Sequence, residues 1–145
     1  MVKDQGESMS RYVYGEASEK QIQTTCEPMQ SVARRALTIS RVDISAVEGW
    51  RSREQQRLNI KNNVSWSMKS DHFYNKTGHV LALDMYPFVD GATSHEFMHY
   101  QMLARAMFTA ASIENVLIEW GGFWTNKTDN PHWSVNREWF SEYIK

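Results

Sequence analysis

Apolar residues recur at helical spacing at Ile22, Met29, Val32, Ala33, Ala36 and Leu37, which predicts a helix burying one face. Ahead of them, Ser18-Glu-Lys-Gln21 reads as a capping box, whose serine oxygen and glutamine side chain each satisfy a backbone N–H left open at a helix start. Pro28 either kinks this stretch or begins a second helix. Val42 to Val47 reads as a strand ending at Gly49, and Ser52-Arg-Glu-Gln55 as another capping box, opening a polar helix that runs to about Lys61. Asn62 to Thr77, with Trp66 and His72, reads as a long polar loop, a kind of segment that is often functional in compact domains. His79 to Met85 reads as a strand with Val80, Ala82 and Asp84 on one face and His79, Leu81, Leu83 and Met85 on the other. Ser94 to about Asn115 is the longest helical segment, and Val116 to Trp120 is a short strand stopped by Gly121-Gly122. Helices and strands that do not alternate strictly predict an α+β fold, with a small antiparallel sheet flanked by helices.

Composition narrows the class. The 145 residues carry no repeats or low-complexity tracts, so one catalytic-sized domain over 1–145 is expected, with no separate binding module. With 16 Lys+Arg against 17 Asp+Glu, the net charge of -1 lacks the cationic surplus of a nucleic-acid binder. No apolar run of about 18 residues and no signal-peptide core occur, which predicts a soluble monomer made in the cytoplasm without stable membrane association. The N-x-S/T sequons at Asn63, Asn75 and Asn126 are then chance matches in polar loops. Cys26 is the one cysteine and reads as an inert helix residue; no internal disulfide or four-cysteine zinc site is possible, so any metal falls to histidine and carboxylate.

Two incompatible metal sites can be drawn from the five histidines. His95-Glu-Phe-Met-His99 matches H-E-x-x-H on a predicted helix, where two imidazoles one turn apart grip zinc and the glutamate activates water, with Glu119 as a downstream third ligand. Yet no G-x-x-H follows His99, and both histidines share an arc with Met102, Leu103, Ala106 and Ala110, which favours a pair at the edge of a core. The other site is His72, Asp84 and His132, which carries no signal by spacing. Its signal is Asp84, the acidic residue of an otherwise apolar strand: turned inward, a carboxylate must be paired or metal-bound. A salt bridge to Arg51 is the alternative for Asp84, and surface positions are the alternatives for His72 and His132.

Five blocks in order carry a resemblance: Glu48-Gly-Trp-Arg-Ser-Arg-Glu-Gln55, Ser70-Asp-His72, Gly78-His-Val-Leu-Ala-Leu-Asp-Met-Tyr-Pro87, Ile118-Glu-Trp-Gly-Gly-Phe-Trp124 and Asp129-Asn-Pro-His-Trp133. Together they resemble the zinc D-alanyl-D-alanine carboxypeptidase and L-alanyl-D-glutamate endopeptidase family, which includes many phage endolysins. The resemblance implies a hedgehog/D-Ala-D-Ala metallopeptidase-like fold holding one Zn2+ through His72, Asp84 and His132, with Asp129 as catalytic base and Glu119 as a rival. It places Arg51 on the oxyanion or a substrate carboxylate, with pairing to Asp84 or Glu54 as its structural alternative. Ser70 and Gln55 would orient substrate, and Trp133 with Trp120, Phe123 and Trp124 would wall the cleft. The segment Phe73 to Leu83 is longer than the family's usual spacing, so His79 is the competing ligand, although strand parity favours His72.

The implied activity is peptidoglycan hydrolysis in a phage endolysin, between L-Ala and D-Glu of the stem peptide. Such a lysin would be made in the cytoplasm of the infected bacterium and reach the wall on release. Carboxypeptidase action on D-Ala-D-Ala is the first alternative, and a non-catalytic zinc or wall-binding phage structural protein the second.

Overall fold

In the computed structural model, which describes residues 11–62, 70–72 and 78–145, the chain opens with helices α1 (Glu16–Gln23) and α2 (Glu27–Ile39). Strand β1 (Asp43–Glu48), helix α3 (Arg53–Lys61), strands β2 (Ala82–Val89) and β3 (Ala92–Thr93), and the long helix α4 (Phe97–Glu114) follow. Strand β4 (Ile118–Trp120), a single 3-10 turn (Gly121–Phe123), strand β5 (His132–Val135) and helix α5 (Arg137–Tyr143) complete it. Trp66 and the sequons at Asn63 and Asn75 lie outside the described residues.

The start of α1 corrects the first capping box. The helix begins earlier, with Gly15 at its N-cap, so Ser18 and Gln21 lie inside it and face β1. The Ser18 hydroxyl accepts the Ala46 N–H at 3.1 Å, and the Gln21 side-chain oxygen accepts the Gly49 N–H at 2.9 Å. Because β1 is an edge strand, these side chains satisfy N–H groups that no neighbouring strand reaches. Pro28 sits in the first turn of a separate helix, where its missing N–H costs nothing. The second capping box is half realised. Ser52 accepts the Gln55 N–H at 3.0 Å, but the Gln55 side chain reaches forward to Asn59 instead of back.

Among the described residues the strands form one antiparallel sheet in the order β1-β2-β5-β4, with β3 pairing the end of β2. Asp90 and Gly91 both take positive φ, 52° and 82°, as the tight turn between β2 and β3 requires. Strand β2 runs past the expected Met85 and includes Pro87. Its Met85 N–H donates to the Pro131 carbonyl, so the nitrogen of Pro87 points the same way, into the gap between β5 and β3 where no donor is needed.

Side-chain alternation gives the sheet two chemically different faces. Ile44, Ala46, Leu83, Met85, Trp133 and Val135 join the buried core with the inner faces of α2 (Met29, Val32, Ala33, Ala36) and α4 (Leu103, Met107, Ala110). Full burial stabilises by roughly 1.5–3 kcal/mol for each large apolar side chain, and this face supplies the driving force of folding. The residues between them, Asp84, Tyr86, His132 and Ser134, turn to the opposite face. No helix among the described residues is long and apolar enough to cross a membrane.

Candidate active site

The polar face of the sheet floors a cleft of about 450 Å³, and strand register decides what stands there. In the β2–β5 pairing Asp84 lies directly opposite His132. A bulge in β1 at Val47 places Glu48, instead of the apolar Val47, across from Asp84 on the other side. His72 comes from the segment before β2. Its backbone is fixed by an Arg51 N–H donated to its carbonyl at 2.9 Å and by its own N–H donated to the Ser70 hydroxyl at 3.1 Å.

The His72 ring is aimed by Gly49, whose carbonyl accepts from Nδ1 at 2.7 Å; Nε2 is left facing Asp84. Gly49 is itself wedged against α1. A Cβ there would stand 2.2 Å from the Thr24 hydroxyl and 2.6 Å from the Gln21 carbonyl oxygen, so only glycine lets β1 leave the sheet this close to the helix. One ligand-capable atom from each of His72, Asp84 and His132 lies within 4.8 Å of the others. Asp84 Oδ1 is 3.3 Å from His72 Nε2 and 3.6 Å from His132 Nδ1. Neither contact has hydrogen-bond geometry: His72 Nε2 and Asp84 Oδ1 are buried without a hydrogen-bond partner. Two imidazoles and a carboxylate converging with orphaned atoms fit a divalent metal ion, and the Gly49 contact is the outer support that a metal-ligating histidine normally has.

The electrostatics agree. Burial pushes the His72 imidazole toward lower pKa, but the adjoining Asp84 carboxylate outweighs it and holds the ring above its ordinary value. Burial pushes Asp84 up, and the two flanking histidines overcome that and hold it well below the usual carboxylate range. Arg51 stands close by: its Nη2 lies 3.8 Å from Asp84 Oδ2 while donating to Glu48, and its Nη1 donates to the buried Gln56. Of the pairings considered for Arg51, Asp84 is therefore realised, and Glu48 takes the place expected of Glu54.

Asp129 lines the cleft beside His132, and burial together with the Asp84 charge raises its pKa against the lowering effect of His132, His72 and Arg51. It opens the tight turn into β5, where the His132 N–H donates to the Asp129 carbonyl at 3.1 Å. Gly121 closes on this turn. Its carbonyl accepts the Asp129 N–H at 3.0 Å, and a Cβ at Gly121 would stand 2.3 Å from the Asp129 carbonyl oxygen. The Trp120 indole N–H adds a bond to the Asn130 carbonyl at 2.7 Å.

His72, Asp84, His132, Asp129, Arg51 and Ser70 thus meet at one cleft. Gln55 and Trp133 do not. Gln55 is exposed on α3 and bonded to Asn59, because the helix turns its neighbour Gln56 inward to Arg51 instead. Trp133 is 0% exposed and stacks on Trp120 with ring centres 5.5 Å apart, since alternation along β5 sends it to the core face when His132 faces the cleft. Of the expected aromatic wall, Trp124 lines the cleft, its ring 4.9 Å from that of His132. His79 is exposed and is not part of the cluster. Glu119 lines the cleft, its carboxylate taken by the Asn136 amide at 2.6 Å.

The H-E-x-x-H segment is not helical through its length: Glu96 is the N-cap of α4 and His95 precedes it. His99 bonds the Ser94 hydroxyl at 2.6 Å, and His95 packs edge-on against Tyr86. Sequence reading missed Glu48, Gln56, Tyr86, Gly121 and Arg137. Of these, Glu48, Tyr86 and Gly121 stand in the blocks that carry the resemblance, and Tyr86, two residues beyond Asp84, also shares its strand face.

Residues 9–141 match the sequence profile of the phage L-alanyl-D-glutamate peptidase family. The L-alanyl-D-glutamate peptidase of Escherichia phage T5 is 29% identical over 127 residues, covering 87% of this chain and 90% of the relative. The crystal structure of the L-Ala D-Glu endopeptidase ChiX of Serratia marcescens superposes with a TM-score of 0.78 at 30% identity, covering 92% of this chain and 95% of that one. With its sheet, its His-Asp-His cluster and a profile match over most of its length, the chain belongs to the phage L-alanyl-D-glutamate peptidase family.

Proposed function

We propose that the protein is a zinc-dependent peptidoglycan endopeptidase of endolysin type, hydrolysing the bond between L-alanine and D-glutamate in the wall stem peptide. The observation that carries this reading is the convergence of His72 Nε2 and Asp84 Oδ1, buried and unpartnered, with His132 on the cleft floor beside Asp129. His72, Asp84 and His132 would hold the zinc and leave its fourth position open to the cleft. Zinc bound there supplies a Lewis acid that brings the pKa of water toward roughly 7 and polarises the scissile carbonyl.

The chain's own groups do the rest. Asp129, whose pKa burial has raised, takes a proton from the attacking water as its oxygen bonds to the alanyl carbonyl carbon. It returns that proton to the glutamyl nitrogen as the C–N bond breaks, leaving a carboxylate and an amine. Arg51, 3.8 Å from the second oxygen of Asp84, adds positive charge beside the carbonyl oxygen that becomes anionic. Ser70 holds the His72 backbone at the cleft edge. Synthesis in the host cytoplasm and release to the wall fit this activity.

Digestion of purified peptidoglycan followed by mass spectrometry is the test. A new amino terminus on D-glutamate is the expected product. Release of free D-alanine would instead assign carboxypeptidase action, and zinc-loaded protein that binds the wall without cutting it would assign a structural role.

A further inference from the structure

Beyond the metal cluster the cleft runs along β5 to Ser134, one pleat and about 7 Å from His132, and ends at Arg137. Arg137 begins α5, and the backbone that carries it is held from several sides. The Asn136 N–H donates to the Leu117 carbonyl at 3.0 Å, its amide donates to Glu119, and its side-chain oxygen caps the helix by accepting the Trp139 N–H at 2.9 Å. Arg137 Nε donates to Asp71 Oδ1 at 2.6 Å. Asp71 is the neighbour of His72, and its carbonyl accepts both the Leu81 and Ala82 N–H groups at 2.9 Å. A guanidinium tethered through Nε keeps its terminal edge, Nη1 with Nη2, and no partner takes that edge among the described residues. The other cleft arginine, Arg51, has its donors committed to Glu48 and Gln56.

We propose that Arg137, oriented by Asp71, reads a free carboxylate on the substrate residue that follows the scissile bond. This rests on the L-alanyl-D-glutamate reading above. A glutamyl residue joined to alanine through its nitrogen has two carboxyl groups, of which chain extension consumes one; the other is a free anion close to the cut bond. The open edge of Arg137 matches that anion as a two-point fork. Converting the carboxylate to an amide, which makes the residue isoglutaminyl, removes the charge and turns an N–H₂ toward guanidinium donors. The enzyme therefore discriminates against amidated stem peptides.

The test uses two synthetic stem peptides differing only in a D-glutamyl or D-isoglutaminyl residue, cleaved by the zinc-loaded full chain. The native enzyme is expected to favour the acid in kcat/KM by about ten- to a hundredfold, the range of a charge-assisted hydrogen bond, chiefly through KM. R137Q should lose this preference by slowing on the acid while its rate on the amide stays within about threefold. R137K, which keeps charge but loses the fork, should fall between. Equal native rates on both peptides, an R137Q defect that is the same on both, or loss of the preference in K127Q, which alters another cation lining the cleft, would overturn the assignment. A native enzyme that cuts neither peptide would instead sink the L-alanyl-D-glutamate reading on which it stands.

Discussion

Among the described residues two groups contain two histidines and an acid, and one of them converges in space as a metal site would. His95, Glu96 and His99 lie within five residues and match a known zinc spacing, yet the helix that would put them on one face starts only at Phe97, taking in His99 but not His95 or Glu96. Glu96 has extended backbone, φ -75° and ψ 134°, so the one-turn geometry between His95 and His99 never forms. His72, Asp84 and His132 are scattered over the chain, and tertiary register brings them together: Asp84 against His132 across β2 and β5, His72 clamped by Gly49. A ligand motif has meaning only where the period that spaces it is the period of the backbone beneath it.

The sharpest way to break the comparison is to remove one member of each group. Asp84→Asn or His132→Ala should abolish stoichiometric zinc binding and lower peptide hydrolysis by more than about a thousandfold, since three protein ligands are the minimum for such a site. Zinc retained in both variants would move the metal elsewhere. Asp129→Asn separates chemistry from metal: zinc content should stay native while kcat falls by about 10²- to 10⁴-fold, the usual worth of a positioned proton carrier. A near-native kcat would transfer the role to another group, Glu119 being the nearest rival in the cleft.

The legible part of the site and the illegible part differ in kind. Asp84 was readable because a carboxylate in an apolar strand demands a partner, whereas the parity argument against His79 does not apply, since β2 begins at Ala82 and leaves His79 outside the strand. The pairing of Asp84 with His132 was not readable from local pattern, because the alternation of His132-Trp-Ser-Val135 assigns faces but a four-residue strand carries nothing that names its partner strand or its register. Gln56 was passed over for Gln55 since a capping box draws attention to its fourth residue, whereas the inward position next to it carries the contact to Arg51. Ser18 misled in a similar way: a residue type that suits a helix cap equally suits bonding an edge strand. Helix α5 was missed because its seven residues include one that is buried, Phe140, too few to display a period.

Smaller effects sharpen the same contrast by leaving every ligand in place. Gly121→Ala should cost activity on the order of a hundredfold with zinc retained, because its methyl group collides with the Asp129 carbonyl and shifts the turn that sets Asp129 beside His132. Overpacking of this kind also costs about 1–3 kcal/mol of stability, measurable by urea denaturation. If the variant loses stability but keeps full kcat, the turn does not govern the chemistry.

The pH dependence follows from the directions of the shifts. His72, raised above 6.5 in the metal-free fold, contributes stability that is present below that pH and lost as pH rises through its folded value. Asp84, depressed below 3.8, contributes stability that is present above that pH and lost as pH falls through its folded value. Zinc needs the imidazoles unprotonated, so its stabilisation, about 2.7 kcal/mol at a hundredfold excess over Kd, grows over the pH range in which the metal-free protein weakens. The melting-temperature gap between zinc-loaded and chelated protein should therefore widen as pH rises from about 6 to about 8. A gap that narrows would mean that His72 is not a ligand.

The smallest expected change belongs to the other group. His99→Ala removes the bond to the Ser94 hydroxyl, which also accepts the Glu96 N–H at the start of α4, and among the described residues neither Ser94 nor His99 lines the cleft. A half-buried hydrogen bond of this kind contributes about 0.5–1.5 kcal/mol, so denaturation should shift slightly while zinc content and kcat remain native. Because His99 and His132 are the same residue type, the pair of alanine variants isolates position from chemistry. Loss of zinc on His99→Ala with retention on His132→Ala would reverse the proposed assignment and move the metal from strand register to helical spacing.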